Sequence, residues 1–213
     1  MKWATLFASL AGVVSVLATP LPDSGKTLVA RDPPGVPSAA TARTLLSGLT
    51  TAAMGSSTGY DRSLFRHWIS VQGTCDAREM VLSRDGSGVN TDSACQPTSG
   101  SWYSQYDGVT VTASSSVDID HMVPLAHAWR TGAASWTAAR REQFANDLSG
   151  PQLWAVSASS NRSKGDRAPD VWKPTRTAFH CVYARAWVRV KATYALTVSA
   201  AERTALTTML NTC

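Results

Sequence analysis

The stretch VDIDHMVPL, residues 117–125, alternates apolar side chains with aspartates and then reaches a proline. Because side chains alternate across a β-strand, Asp118 and Asp120 share one face of the strand that this pattern predicts. Asp120 would offer a hard oxygen to Mg²⁺ or Ca²⁺, and His121 would offer a base that titrates near neutrality. The same residues also fit an ordinary surface strand that ends in a turn at Pro124.

A second stretch, NRSKGD at residues 161–166, follows the apolar run LWAV at 153–156. Periodicity alone does not say whether that run is a strand or the start of a buried helix. Together the motifs resemble the HNH, or ββα-metal, nucleases, in which an Asp-His-x-x-Pro strand end precedes a helix opening with Asn-x-x-Lys. Within that superfamily the chain resembles secreted proteins related to the C-terminal domain of GmrSD-type restriction enzymes. The resemblance covers about residues 60–213 and is most specific in 117–174.

The resemblance implies a chemical role for each polar residue of the two motifs. It makes His121 the general base, and it makes Asp120 and Asn161 the protein ligands of one divalent cation. Mg²⁺ is the expected ion, with Mn²⁺ and Ca²⁺ as alternatives. The family pattern also has an asparagine nine residues before the metal-binding one, where it orients the base. Here that position is Gln152, and Asn146 is the alternative.

The charge distribution favours a polyanionic substrate. The chain has 20 Lys and Arg against 15 Asp and Glu, a net charge of +5, and it retains +3 without residues 1–31, which hold three basic and one acidic residue. Residues 161–191 hold eight basic side chains and two acidic ones, a local charge of +6. This excess beside the candidate metal helix favours a nucleic acid, although a solvated helix face is the alternative. The predicted substrate-binding residues are Arg162, Lys164, Lys173 and Arg176.

The N-terminal segments indicate export. Residues 1–18 have the basic start, short apolar run and small-residue end of a secretory signal peptide. Residues 19–37 are proline-rich and are predicted to be a leader or propeptide, with Arg31 as a candidate cleavage position. Residues 38–213 are predicted to form one domain, and no other run is apolar enough to cross a membrane. We expect a secreted, extracellular monomer.

Four cysteines follow the signal peptide, at Cys75, Cys95, Cys181 and Cys213. An even number in an exported chain predicts two disulfides. Of the three connectivities, nearness in sequence favours Cys75 with Cys95 and Cys181 with Cys213. A zinc ribbon is the competing interpretation, but the chain has no Cys-x-x-Cys pair.

Helical periodicity dominates the remaining pattern. The predicted helices cover residues 38–54 with Ser38 as the cap, 75–82 with Thr74 as the cap, 125–130, 136–144, 179–194, and a last helix opened by a capping box at 199–202. The Asp107-Gly108 pair predicts a hairpin, and residues 84–93 are predicted to be a polar loop. The expected class is therefore α+β, a helix-rich single domain with short antiparallel strands around a ββα-metal core, stapled by two disulfides.

These features predict a secreted, metal-dependent endonuclease that hydrolyses phosphodiester bonds in DNA, with RNA as a second candidate. Sequence specificity should be low, because contacts to the phosphate backbone carry no base information. The competing hypothesis is a secreted binding module or effector that keeps an HNH-like scaffold without catalysis. Asp118 is a candidate for an outer role at the metal, whereas His127 is predicted to be a surface histidine and Glu202 a solvated helix residue.

Overall fold

The computed structural model describes Met1 and residues 32–213, so the predicted signal peptide and most of the predicted leader lie outside the described residues. The described end of the leader contacts the domain. Pro33 is buried, and Val36 packs against the main core. The carbonyl of Pro37 accepts a hydrogen bond of 2.5 Å from the Arg185 side chain. Residues 33–37 are therefore held on the surface of the domain.

The described residues form seven α-helices and seven short strands, which confirms the α+β class. The helices are α1 (Ala39–Gly48), α2 (Ala77–Asp85), α3 (Leu125–Arg130), α4 (Ala138–Ala145), α5 (Ala158–Lys164), α6 (His180–Tyr194) and α7 (Ala200–Leu210). The strands are β1 (Ser70–Gln72), β2 (Cys75–Asp76), β3 (Ser87–Thr91), β4 (Pro97–Tyr103), β5 (Thr110–Val111), β6 (Val117–His121) and β7 (Leu153–Ser157). The strands pair antiparallel as β1-β2, β3-β4-β5 and β6-β7. Within this described part of the chain, every helix is too short or too polar to cross a membrane.

The β6-β7 pair lies between two apolar cores. On one face Ile119 and Ala155 are opposite each other and belong to a small core with Trp102. On the other face Trp154 and Val156 belong to the large core, to which α6 contributes most. A strand that is buried on both faces shows no alternation of polarity, which explains the continuous apolar run of β7.

Local hydrogen bonds correct two predicted boundaries. Helix α1 is capped by Ser38 as predicted, but it ends at Gly48. Helix α2 is capped by Asp76 rather than Thr74, because Asp76 and Glu79 form a reciprocal capping box. The predicted loop at 84–93 is also wrong, since residues 87–91 form β3 against β4.

Two disulfides fix the periphery, with the connectivity that nearness in sequence favours. Cys75–Cys95 joins β2 to the segment before β4, and Cys181–Cys213 joins the start of α6 to the last residue. All four cysteines are paired, so none is available to a zinc ribbon. Each bridge closes a loop of moderate length, 20 and 32 positions apart in sequence, and restricts the unfolded chain accordingly.

Candidate active site

A pocket of about 240 Å³ opens beside β6, the start of α3 and the end of α5. It brings together residues that are far apart in the sequence. The polar side chains in its lining include Tyr60, Arg62, Asp120, His121, Asn161 and Arg162. The motif residues Asp120, His121 and Asn161 therefore share one solvent-accessible site, as the resemblance to the HNH nucleases implies.

The successive elements β6, β7 and α5 position the motif residues of this pocket. In the β6-β7 pair Asp120 lies opposite Trp154, and His121 lies opposite Leu153. Helix α5 follows β7 without a loop, because the hydroxyl of Ser157 caps it by accepting from the Ser160 amide at 3.3 Å. The helix therefore begins at Ala158 rather than at Asn161, which lies one turn inside it.

The ring of His121 is held by one nitrogen and open at the other. Its Nε2 lies 2.9 Å from the carbonyl oxygen of Ala145. A carbonyl only accepts, so Nε2 carries the ring proton and Nδ1 keeps its lone pair. Among the described residues Nδ1 has no hydrogen-bond partner, and this nitrogen is not fully buried. Because His121 lines the pocket, Nδ1 is open to it.

Burial lowers the pKa of His121 to about 3, against the opposing effect of the Ala145 hydrogen bond. The ring is therefore neutral at physiological pH, which is the state that a general base requires. A base with so low a pKa is weak. An anionic phosphate bound beside the ring would raise the pKa and strengthen it, because a nearby negative charge favours the imidazolium form.

An aromatic ring supports His121 from the side. Trp68 stacks on it with ring centroids 5.5 Å apart and an interplanar angle of 28°. The backbone of Trp68 is left-handed, with φ of +58°, a conformation that a bulky residue adopts only when its surroundings impose it. Asn146 fixes this segment by accepting from the Ile69 amide and donating to the Arg66 carbonyl.

Asp120 is buried at 4% exposure and has one engaged and one free carboxylate oxygen. Oδ2 accepts a hydrogen bond of 2.6 Å from Lys164 and a second one from the Tyr106 hydroxyl. Burial raises the pKa of Asp120, and the Lys164 charge opposes that shift. Oδ1 has no partner among the described residues, so it is the atom that a cation in the pocket would meet.

The predicted phosphate contact of Lys164 is wrong. Its side chain is fully buried, and Nζ donates to Asp120 Oδ2 and to the carbonyls of His121 at 2.8 Å and Met122 at 2.9 Å. An ammonium group has three donors, so none remains for a substrate. Lys164 instead ties α5 to the end of β6 and compensates the buried charge of Asp120.

The predicted orienting role of Gln152 is also wrong. Its amide is buried and exchanges two hydrogen bonds with the backbone of Val123, at 3.1 and 3.0 Å. It thereby fixes the turn that leaves β6. The side chain of Asn146, the alternative residue, forms hydrogen bonds with other backbone groups. The backbone carbonyl of Ala145 orients His121, and a backbone group leaves no trace in side-chain identity.

Asn161 and Asp118 are connected. The side-chain amide of Asn161 donates to Asp118 Oδ2 at 3.1 Å, which leaves the Asn161 oxygen for another partner. Arg162 Nε lies 3.5 Å from the same Asp118 oxygen, but the side chain is 73% exposed. Asp118 therefore orients Asn161 from outside, while Arg162 presents its charge to the solvent at the pocket.

The free oxygens of Asp120 and Asn161 fit a hard divalent cation such as Mg²⁺. Among the described residues no group of three or more His, Cys, Asp or Glu could hold a metal ion. The protein would thus supply few ligands, and water and phosphate oxygens would complete the coordination, as Mg²⁺ prefers. The metal-binding roles of these two residues stay predictions.

Four basic residues of the segment 161–191 fall into two groups. Lys164 and Lys191 are fully buried and paired with carboxylates, so they add nothing to the surface charge that the sequence indicates. Lys173 is exposed, whereas Arg176 is partly buried and donates to Gln105 at 2.6 Å. Neither lies in the pocket lining, and their contacts with substrate stay predictions.

A second buried polar cluster lies away from the pocket. Lys191 Nζ contacts Glu202 Oε1 at 2.6 Å, the carbonyl of Thr197 at 2.7 Å and Nε2 of His127 at 2.9 Å. Burial lowers the pKa of His127, and a hydrogen bond to Glu202 opposes that shift. The predictions of a surface His127 and a solvated Glu202 are wrong, because the cluster joins α3, α6 and α7 inside the domain.

Four residues at or beside the site were not predicted to be functional. Tyr60 and Arg62 line the pocket and Trp68 stacks on His121, although all three precede the two motifs by about 50 residues or more. Tyr106 lies in the hairpin turn between β4 and β5 and reaches Asp120 from there. These contacts connect segments that are distant in sequence, and no local motif announces them.

Comparisons with known proteins place the site in a family context. The model of the C-terminal domain of GmrSD restriction endonucleases matches residues 79–209. A protein of Arthroderma benhamiae named "Uncharacterized secreted protein" is 53% identical over 207 residues, which cover 97% of this chain and 98% of that protein. No solved structure matches the chain. The family match includes Asp120, His121 and Asn161, and it begins after the segment that carries Arg62 and Trp68.

Proposed function

The chain belongs to the family of GmrSD restriction endonuclease C-terminal domains, and from this membership we propose that it is a secreted endonuclease that hydrolyses nucleic-acid phosphodiester bonds with a divalent cation. The observation that carries the proposal is the pocket. In it an unprotonated histidine nitrogen lies beside two unengaged hard oxygens and an exposed arginine. Phosphodiester hydrolysis requires these groups: a base for water, a cation site, and positive charge for the phosphate.

The residues divide the chemistry between them. Nδ1 of His121 accepts a proton from the attacking water, while the Ala145 carbonyl keeps the proton of Nε2 in place. Asp120 and Asn161 would hold the cation, which when bound neutralises charge on the scissile phosphate and on the departing oxygen. Lys164 opposes the rise in the pKa of Asp120 and fixes its carboxylate without touching the substrate. The succession of β6, β7 and α5 supports the further proposal that this unit is a ββα-metal core.

Export and substrate range follow from separate observations. The name of the Arthroderma benhamiae relative, the predicted signal peptide and the two disulfides all support secretion. We propose DNA as the main substrate, with RNA also accepted. Low sequence specificity is expected, because the exposed Arg162 and Lys173 offer charge to phosphates.

The test is cleavage by the purified mature protein. Supercoiled plasmid, linear DNA and RNA are incubated with Mg²⁺, with Mn²⁺ or with excess EDTA, and nicking should occur with a cation and stop with EDTA. His121→Ala should abolish it. His180→Ala is the matched control, because His180 bonds the Pro174 carbonyl and lies outside the pocket lining. Binding of nucleic acid without cleavage under any cation would favour the inactive binding module instead.

A further inference from the structure

The pocket is completed by a segment that precedes the family match. Residues 60–68 lie outside the matched range of 79–209, yet this segment brings Tyr60 and Arg62 into the pocket lining and places Trp68 on His121. We propose that Arg62 binds a non-bridging phosphate oxygen of the nucleic-acid backbone beside the scissile bond. The proposal rests on the proposed function, and it adds a substrate-binding residue that the sequence motifs do not contain.

The guanidinium of Arg62 is available for this contact. It is exposed, and among the described residues it makes no ion pair and no side-chain hydrogen bond. Its acidic neighbour Asp61 is engaged elsewhere, since it accepts from the Ser63 amide at 2.7 Å. The five N–H donors of Arg62 therefore have no partner among the described residues, and their planar geometry matches two oxygens of a phosphate.

The backbone that carries Arg62 is fixed on both sides. Asp61 caps the short 3₁₀ turn Arg62–Leu64, and the next residue, Phe65, is fully buried against Phe144 and Trp129. Further along, Trp68 stacks on His121. The loop thus places an arginine and the ring that supports the candidate base in one rigid unit, so less conformational entropy is lost when substrate binds.

A second arginine faces the same space from the motif helix. Arg162 also lines the pocket, 100 positions later in the chain, and it is 73% exposed. The charge of Asp120, which lines the same pocket, is already compensated by Lys164. A phosphate entering the pocket would therefore meet guanidinium groups from two chain segments, with Asp166 as the opposing charge in the lining.

The experiment compares Arg62→Ala and Arg62→Gln with Arg66→Ala. Arg66 belongs to the same segment and is 76% exposed, but it pairs with Glu142 at 3.3 Å and lies outside the pocket lining. Binding of a short DNA duplex is measured without catalysis, in EDTA, across a salt series, and cleavage is measured in Mg²⁺. Arg62→Ala should weaken binding or slow cleavage by roughly tenfold to a hundredfold. It should also lower the salt slope by about one, whereas Arg66→Ala should change neither.

The outcomes separate this proposal from the proposed function. A wild-type protein that binds DNA but cuts nothing refutes the endonuclease, while the binding series still tests Arg62. If the Arg62 variants and Arg66→Ala match the wild type in affinity, salt slope and cleavage, Arg62 is not a phosphate ligand. A wild-type protein that binds no nucleic acid overturns the proposal as well. The Arg62→Gln variant keeps a polar, hydrogen-bonding side chain without the charge, so a loss shared by both Arg62 variants, with unchanged thermal unfolding, supports the role of the charge.

Discussion

Replacing Lys164 with methionine separates a buried structural charge from a substrate contact. Methionine keeps most of the length and volume of the side chain and removes the ammonium. The change deletes a 2.6 Å ion pair with Asp120 and two hydrogen bonds to the backbone after β6. Asp120 would then be left at 4% exposure with only the Tyr106 hydroxyl as a partner.

The expected cost is large because both partners are buried. Removing one member of a buried ion pair leaves the other as an uncompensated charge, and this typically costs about 3 to 5 kcal/mol. For a domain of this size such a loss corresponds to a fall of roughly 6 to 20 °C in the melting temperature. The charge of Asp120 can be removed together with its partner. Asp120→Asn on the Lys164→Met background should therefore recover part of the lost stability, because no buried charge then remains.

The assay is urea unfolding of the wild type, both single variants and the double variant. A favourable coupling between Lys164 and Asp120 of more than about 1 kcal/mol is expected from a direct contact. Thermal unfolding of each variant gives an independent check. Arg162→Met is the matched control, because it removes a cation two residues away on α5 that is 73% exposed and contributes little to stability.

A different result would refute the reasoning. If Lys164→Met unfolds within about 1 kcal/mol of the wild type and instead loses affinity for DNA, Lys164 is a substrate ligand as the motif suggests. If the double variant is no more stable than the sum of the single changes predicts, the two side chains do not act as a pair.

Three further predictions concern the general base, the two disulfides and the stability of the protein at low pH. His121→Ala should lose about a hundred- to ten-thousand-fold in cleavage rate at any Mg²⁺ or Mn²⁺ concentration. Asp120→Ala should instead regain part of its activity at high metal concentration, since mass action refills a weakened metal site but does not replace a base. Cleavage rates measured across a metal titration test this, and recovery of His121→Ala at high metal would contradict the assignment. Breaking either disulfide through Cys95→Ser or Cys181→Ser should cost about 2 to 5 kcal/mol in urea unfolding, and a smaller change would show that the bridges restrict little. Burial raises the pKa of Glu202, but hydrogen bonds to His127 and Lys191 hold it at about 2, against 4.5 for the free side chain. Glu202 therefore contributes roughly 3 kcal/mol of stability above pH 4.5, and this contribution is lost as the pH falls toward 2. The unfolding free energy of Glu202→Gln should depend less on pH between 6 and 3 than that of the wild type, and parallel pH curves would contradict the assignment.

Local patterns predict the elements that carry the site. The alternation at residues 117–121 gives β6 with its observed bounds, and the capping box at Ser199 opens α7 where it was expected. Both signals act within a few residues, so they survive without knowledge of the packing. The shared pocket of Asp120, His121 and Asn161 follows the family motif, because the motif fixes their spacing along adjoining elements.

Packing decides what the sequence leaves open. Lys164 belongs to a basic motif and was expected to contact phosphate, but it lies one turn after Asn161 on a helix that packs against β6. Its partner is 44 positions earlier in the chain, and no periodicity connects the two. The same holds for Trp68, which has a left-handed backbone and stacks on His121, a residue 53 positions later in the chain. Residue type alone does not separate a buried charge from a solvated one.

Helix α6 does not line the pocket, but its Trp187 lies near both buried lysines. The indole of Trp187 lies within cation–π distance of both ammonium groups, 5.7 Å from Lys164 and 5.9 Å from Lys191. Its N–H donates to Glu202 at 2.6 Å, so the ring is fixed by the second cluster while it contacts the partner of Asp120. The neutral, polarisable indole of Trp187 thus lies beside both ammonium groups and excludes water from them. Trp187 lies in the core and outside the pocket lining, and it thus contacts the lysine that is bonded to Asp120, the expected cation ligand.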